Sequence, residues 1–392
     1  MIEQAGRLFR NSSLALAPAE DGYWAYDIQT SRLHHLNPVA ALILELCDGS
    51  RTASEISTEL APFLGESQSD SCDRWIESAV TIGLLSNGTA SASSAQLSAA
   101  DFASAAEELR DDGHVLAAYV CQHHATLLEP DTSGYWKYLG ELAHILQKRD
   151  DARSAYEQYL KLHGPDAEIE HILVSFRDEA PPARASDSCI RQLYSRFSRF
   201  YEDNMVGELE YKVPVYAAAM LEGRYGNQSD LDVLDLGCGT GLSGRAFRHW
   251  ARHLVGIDLS PEMIEQARGT GIYDSLELAE ITAWLKASTQ PLFHLIVACD
   301  SMIYFGDLRQ VFIPASRRLV AGGRMIFGVE RSESLPFRLT DSGRYQHSRA
   351  HLDEAAHAAG FVVEEVTSQI LRYEYGEPVH GYVVLMRLKP QS

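Results

Sequence analysis

The stretch from Asp232 to Ala246, DVLDLGCGTGLSGRA, constrains the fold of this chain more than any other. Val233, Leu234 and Leu236 form a short apolar run with the length and composition of a buried parallel strand. Gly237, Gly239 and Gly241 follow at every second position. Without a Cβ there, the backbone can turn sharply at the carboxyl end of the strand, and a ligand can lie against the main chain. Leu242 to Trp250 then has helix-compatible apolar spacing, so the unit reads strand, glycine turn, helix.

Many βαβ proteins carry a glycine turn, and some such turns bind nothing. The next strand sharpens the signal: His253 to Leu259 (HLVGIDL) carries Asp258 near its tip. A carboxylate there can accept both ribose hydroxyls of an adenosine-containing cofactor. Asp235 precedes the glycines, and Gly239 and Gly241 stand in place of the GxxG ending of a dinucleotide site, which argues against a dehydrogenase. DLGCGTG followed by GIDLSPEMIEQAR resembles the cofactor site of class I methyltransferases that use S-adenosylmethionine. The resemblance implies a Rossmann-like α/β domain and a cofactor site drawn from Asp235, Gly237, Cys238, Gly239, Gly241, Asp258, Leu259 and Met263.

Strand and helix alternate to the end of the chain. Leu276 to Ala279 is a strand that ends at Glu280 beside Ile281, expected at the adenine rim. Phe293 to Cys299 ends at Asp300, which in this fold faces the methionine end of the cofactor, and Met325 to Val329 ends at Glu330. Phe361 to Thr367 and Tyr382 to Leu388 should form the antiparallel hairpin typical of these methyltransferases, completing a seven-stranded sheet. Upstream, Ile190 to Tyr201 and Lys212 to Arg224 read as helices of a lid, with Tyr194 or Tyr201 facing the sulfonium as a cation-favouring ring. CDSMIYFGDL, FGVE, SGRYQHSRAHL and PVHGYVVLM resemble methyltransferases fused to tetratricopeptide repeats. Candidates for a base or an orienting group are His347, Tyr345, Tyr304, Glu330 and His380; Arg344 could clamp an acceptor carboxylate or tie down its loop through Asp341.

The N-terminal segment is a second module. Leu14 to Ala17, Tyr23 to Ile28 and Arg32 to Leu36 read as three short strands separated by turn residues. Three helices follow: Asn37 caps one with Pro38 at its first position, Thr52 and Glu55 form a capping box for another, and Asp73 to Ile82 is the third. This is a winged-helix-like α+β order over residues 1-88. The phrases YDIQTSRLHHLNPVAALILELCDGSRTASEI and WIESAVTIGLL resemble PqqD-like domains, the recognition elements of peptide-modifying enzymes. The resemblance implies that the leader of a ribosomally made precursor peptide adds as a strand beside Arg32, Leu33, His34, His35 and Leu36, over a groove walled by Arg74, Glu77, Ser78 and Thr81. A DNA-reading role is disfavoured, because the third helix carries one arginine and two acids and the whole chain has a formal net charge of −20.

Ser86 to Ser98 is a small polar linker that should let the modules move relative to one another. Residues 99-178 follow as a short all-α, tetratricopeptide-like region: Trp136, Leu139, Gly140, Ala152 and Tyr156 sit at repeat offsets, and Glu168 to Phe176 is a trailing helix. Asp178 to Ser188 is a Pro-bearing linker before the methyltransferase domain at 189-392. Six scattered cysteines without a CxxC pair point to reduced thiols and no metal site, and the N-terminus has no signal-peptide pattern, so a cytoplasmic protein without membrane or nucleic-acid partners is expected. The edge strand and the helical repeats could each pair two chains. Three readings stand: a peptide-tailoring methyltransferase, a small-molecule or natural-product methyltransferase whose first module binds a partner protein, and a peptide-binding scaffold without catalysis.

Overall fold

The computed structural model describes residues 6–64, 69–87, 97–177, 180–198, 201–289, 291–333, 335–374 and 376–390. Most of the expected linker at 86–98 lies outside them. The chain divides into two compact units, residues 1–164 and 165–392. Among the described residues no helix is long and apolar enough to cross a membrane.

In the first unit β1 (Arg7–Arg10), β2 (Leu14–Ala19), β3 (Gly22–Asp27) and β4 (Arg32–Leu36) precede α1 (Pro38–Leu46), β5 (Asp48–Thr52), α2 (Ala53–Leu64), α3 (Ser69–Thr81) and β6 (Leu85–Asn87). β2, β3 and β4 form the expected antiparallel sheet in that order. Asn37 caps α1 by accepting from the Ala40 N–H at 2.9 Å, and Thr52 and Glu55 close the capping box. A second small sheet, β5-β1-β6, was not expected. Its strands are short and polar, and only isolated side chains such as Leu8 and Leu85 reach the core, so no alternation marks them.

α4 (Ala99–Asp111), α5 (Val115–Leu128), α6 (Ser133–Ile145) and α7 (Arg149–His163) complete this unit as two antiparallel helix pairs. Gly140 is required where α6 meets α7, because a Cβ there would sit 2.5 Å from the Tyr156 ring. The expected independence of the helices from the first sheet is corrected: α5 packs on β2 and β3, and His123 Nδ1 lies 3.0 Å from the Leu16 carbonyl. α5 buries Ala117, Ala118, Tyr119, Val120 and Cys121, residues spread around its circumference, and a helix apolar on all sides is enclosed by neighbours.

The second unit opens with α8 (Ala167–Ser175), expected as the last helix of the repeats. Its His171 Nε2 lies 3.0 Å from the Gly343 carbonyl, and Glu168 pairs with Arg196 at 2.7 Å, so its polar side chains belong to the C-terminal unit. Then come α9 (Asp187–Phe197), α10 (Val213–Tyr225), β7 (Leu231–Leu236), α11 (Leu242–Phe247), β8 (Ala251–Asp258), α12 (Pro261–Thr270), β9 (Ser275–Leu278) and α13 (Ile281–Ala287). β10 (Phe293–Ala298), α14 (Arg309–Ser316), β11 (Leu319–Arg331), β12 (Phe337–Leu339), β13 (Tyr345–His347), α15 (Arg349–Ala358), β14 (Phe361–Glu374) and β15 (Glu377–Leu388) follow.

The strands run β9-β8-β7-β10-β11-β15-β14, all in one direction except β15, which is antiparallel to both of its neighbours, β11 and β14. The seven-stranded expectation is corrected to nine among the described residues, because β12 and β13 form an added hairpin. Glu330 pairs with both Gly381 and Gln346, so β13 continues the side of β11 along which β10 has ended. Strands of three residues carry too little alternation to be seen in the sequence. Apolar layers cover both faces of the sheet, one built on Leu234, Ile257 and Phe327 and the other on Val233, Leu254 and Ile326. The order reverses between β7 and β10, which opens a crevice at their carboxyl ends.

Candidate cofactor and acceptor site

The turn after β7 is held from below and from the side. Asp235 is fully buried and accepts hydrogen bonds from the Ser243 hydroxyl at 2.6 Å and the Tyr273 hydroxyl at 2.7 Å; burial pushes its carboxyl up to about 6. It braces the loop from beneath and does not line the crevice. The N–H groups of Gly237 and Cys238 donate to the Ile257 carbonyl at 2.8 and 3.0 Å, fastening the turn to β8. The Gly239 N–H donates to Asp258 Oδ2 and the Ser260 N–H to Oδ1, both at 2.9 Å, so the carboxylate is fixed by two main-chain donors before any ligand arrives.

Gly237 has φ +72°, and a Cβ there would stand 2.6 Å from the Ser301 Cβ. Ser301 cannot retreat freely, since its hydroxyl donates to the Leu236 carbonyl at 2.7 Å. Gly237→Ala is expected to cost about 1–3 kcal/mol of stability and to weaken ligand binding in the crevice; denaturant unfolding alongside a ligand titration checks both.

The resulting cleft is lined by Arg184, Ile190, Tyr194, Tyr201, Gly237, Gly239, Asp258, Leu259, Glu280, Ile281, Asp300, Ser301, Tyr304 and Phe305. Asp258, Leu259, Glu280 and Ile281 mark one end. The Glu280 carboxylate caps α13, accepting from the N–H groups of Thr282 and Ala283 at 3.0 and 2.7 Å, which holds its side chain at the rim. At the other end the Tyr194 and Tyr304 hydroxyls share a hydrogen bond at 2.8 Å, and the Tyr201 ring meets Tyr194 edge to face at 5.9 Å. Burial holds all three phenols neutral, raising Tyr304 to about 12 and Tyr194 and Tyr201 well above the ordinary phenol value.

Asp300 stands at this end in front of a layer of charge. Arg372, 1% exposed, pairs with Glu330, and its Nε lies 2.8 Å from Glu374, which also pairs with Arg344. Arg372 Nη1 lies 3.8 Å from Asp300. Burial pushes the Asp300 carboxyl up to about 6 against the opposing pull of Arg372 and Arg344.

Several residues expected at the site stand elsewhere. His347 is fully buried with Nε2 2.8 Å from the Phe305 carbonyl, stacks on His351, and is pulled down to about 4 by burial, so its ring serves the loop after β10. The buried Tyr345 hydroxyl donates to the Pro182 carbonyl at 2.6 Å. Neither lines the cleft, and Glu330 and Arg344 lie in the ion-paired layer behind Asp300. Cys238 and Met263 are buried, and Gly241 caps α11 at φ +102°.

The sequence reading missed Arg184, Ile190, Ser301 and Phe305. Arg184 lies in the stretch taken as a linker, which in fact runs along the loop after β10: the Ala183 carbonyl accepts from the Gly306 N–H at 2.8 Å, and the Ala185 N–H donates to the Tyr304 carbonyl at 2.9 Å. Main-chain pairing of this kind leaves no trace in side-chain pattern. Ser301 and Phe305 could have been found from their place just past a strand end.

In the first unit, β4 pairs with β3 along one edge, and its other edge carries no strand among the described residues. Arg32, Leu33 and His35 are exposed, His34 is half-buried and Leu36 is buried. His35 packs on Trp24 and lies 3.1 Å from Asp21. Arg74, Glu77, Ser78 and Thr81 are exposed along α3.

Residues 233–323 match the family model described as a methyltransferase domain, and residues 23–74 match that of coenzyme PQQ synthesis protein D. The chain is 30% identical over 140 residues to malonyl-(acyl-carrier protein) O-methyltransferase of Salmonella typhimurium, covering 36% of this chain and 52% of that protein. It is 26% identical over 160 residues to ubiquinone biosynthesis O-methyltransferase of Xylella fastidiosa, covering 36% and 64%. Magnesium protoporphyrin IX methyltransferase of Synechocystis, solved with bound S-adenosylmethionine, superposes with a TM-score of 0.41 at 15% identity over 54% of this chain and all of that one. The chain spans about half the length of the curated relatives it matches. The glycine turn, the braced Asp258 and the cleft they border fit S-adenosylmethionine, and the chain carries a PqqD-like segment at its N-terminal end and a class I, S-adenosylmethionine-type methyltransferase domain at its C-terminal end.

Proposed function

We propose that the protein is an S-adenosylmethionine-dependent methyltransferase that modifies a ribosomally made precursor peptide, whose leader is captured on the PqqD-like module. The observation that carries the catalytic half is the cleft in which Asp258, fixed by the Gly239 and Ser260 N–H groups, borders a glycine turn at the strand ends. Asp258 takes the ribose hydroxyls, Leu259 and Ile281 flank the adenine, and Tyr194, Tyr201 and Tyr304 enclose the methionine end and exclude water. When bound, the cofactor supplies a methyl group on a sulfonium centre. The protein's task is then to hold an acceptor in line with that methyl and keep the cleft dry.

The peptide half is carried by the PqqD-like match on a module whose β4 edge is unpaired among the described residues. A leader strand gains affinity there from main-chain hydrogen bonds, and tethering raises the effective concentration of the core segment at the cleft. The two helix pairs α4–α5 and α6–α7, the first packed on the module's sheet through α5, act as a tetratricopeptide-like spacer ahead of the methyltransferase domain. Leu33, 37% exposed on β4, is a contact for the leader. Leu33→Asp is expected to weaken binding of a leader peptide about tenfold and to leave binding of S-adenosylhomocysteine unchanged. The reading is tested by incubating the full chain with S-adenosylmethionine and the short peptides encoded beside its gene. A one-methyl mass gain confined to the core segment and dependent on the leader supports it; equal methylation of leaderless peptide contradicts it.

A further inference from the structure

The charge behind the methionine end of the cleft does not balance. Asp300, Glu330 and Glu374 oppose Arg344 and Arg372, three carboxylates against two guanidinium groups, and these side chains range from 1% to 24% exposed. The arginines are committed: Arg372 bonds Glu330 and Glu374, and Arg344 bonds Glu374. Asp300 is different. It lines the cleft, and its nearest cation, Arg372 Nη1, stands beyond hydrogen-bond range at 3.8 Å. That Nη1 is buried without a hydrogen-bond partner, and so is the hydroxyl of Tyr211, whose phenol feels the charges of both Asp300 and Arg372. A carboxylate only 18% exposed thus lines the cleft without a hydrogen bond from another side chain among the described residues. Neither histidine nor lysine lines the cleft among the described residues, and Glu280 is occupied in capping α13.

We propose that the methyl acceptor is an uncharged, proton-bearing nucleophile, a hydroxyl or N–H group, and that Asp300 receives its proton as the general base. The proposal rests on the methyltransferase reading of the same cleft and adds the class of acceptor. In the transfer, the acceptor lone pair forms the bond to the methyl carbon, and the sulfur–methyl bond breaks with its electron pair returning to sulfur. The acceptor's proton passes to the Asp300 carboxylate. One surplus negative charge matches one sulfonium, and with a neutral acceptor the positive charge moves from sulfur to the acceptor atom while remaining in front of Asp300. A carboxylate acceptor would instead bring a fourth anion to a layer whose two guanidinium groups are already paired, so this site selects against it.

The groups facing Asp300 from the surrounding elements are Arg344, Arg372, Glu330 and Glu374, the phenols of Tyr194, Tyr201, Tyr211 and Tyr304, and the Cys299 thiol. Burial keeps the phenols and the thiol neutral, so Asp300, pushed up to about 6, is the group that titrates near neutrality. It is ionised above that pH and basic enough to accept a proton, and turnover falls as the pH drops through about 6.

The test uses the full chain. Calorimetry well above pH 6 compares S-adenosylmethionine with S-adenosylhomocysteine, and S-adenosylhomocysteine formation is then followed with phenol, imidazole or acetate as acceptor probe. The wild type is expected to favour the cationic ligand about tenfold. Asp300→Asn is expected to erase that preference while binding S-adenosylhomocysteine within about threefold of the wild type. Phenol or imidazole should speed turnover in the wild type, partly in Asp300→Glu, and not in Asp300→Asn. Acetate outpacing both, or an Asp300→Asn protein with unchanged ligand preference and turnover, overturns the proposal. A folded wild type that binds neither ligand fails one step earlier and overturns the methyltransferase reading itself.

Discussion

Asp258→Ala is expected to lose roughly a hundredfold or more in affinity for S-adenosylhomocysteine, the largest single loss among the residues lining the cleft. The carboxylate is already oriented by the Gly239 and Ser260 N–H groups, so the entropy of fixing it is spent in folding and not on binding. Two charge-assisted hydrogen bonds to ribose hydroxyls, at about 1.5–3 kcal/mol each, correspond to that loss. Removing the side chain also frees the Gly239 N–H and loosens the turn that approaches the ligand. The check is the rise in melting temperature on adding S-adenosylhomocysteine: it should be present in the wild type and absent in the variant, with unliganded melting temperatures that stay close. A variant that retains the full ligand-induced rise would remove Asp258 from the site.

Arg372→Met is expected to produce the largest loss of stability, about 3–5 kcal/mol, because it strands paired carboxylates in a buried layer. Glu330 is almost fully buried, and Glu374 and Asp300 lose the same guanidinium. The pH dependence has a definite sign. Arg372 and Arg344 now hold Glu374 below its ordinary value, whereas burial already holds Asp300 above its own. Without Arg372 the native-state carboxyls of Glu374 and Asp300 move upward, and a carboxyl raised in the native state binds a proton more readily folded than unfolded. The variant's deficit is therefore greatest at alkaline pH and shrinks as the pH falls through about 6 and below. Denaturant unfolding of both proteins across that range checks it; a deficit that is independent of pH would mean the loss is one of packing alone.

Strand ends were legible in the sequence because physics writes them there. The run Val233, Leu234, Leu236 has to be apolar to lie between helix layers, and the glycines after it have to be glycines where φ is positive and Ser301 stands close. Asp258 and Asp300 were found by counting to the carboxyl ends of such runs. What the sequence concealed is held by main chain or by distant pairing. The strap at 180–186 is made of backbone hydrogen bonds to the loop after β10, β12 and β13 are three residues each, and the strands of the small second sheet bury only isolated side chains.

Chemistry-bearing residue types in loops misled for a related reason. His347 looks like a base and Tyr345 like an orienting hydroxyl, yet each spends its polar atom on a backbone carbonyl, Phe305 and Pro182 respectively. Arg372 sits inside a 14-residue strand whose neighbours give no hint of a buried cation. Its meaning appears only once β14 is laid beside β15, and β15 beside β11, which brings it to Glu330. The tyrosines were easier, since Tyr194 and Tyr201 precede the first strand of a fold whose ligand crevice such helices cover.

The most direct test of the central claim is a calorimetric titration of the full-length protein with S-adenosylhomocysteine. One site per chain with a dissociation constant on the order of micromolar is the result the cleft predicts. A folded protein that gives no binding heat at any temperature tried, and no ligand-induced rise in melting temperature, would contradict it and leave the PqqD-like module as the chain's working part.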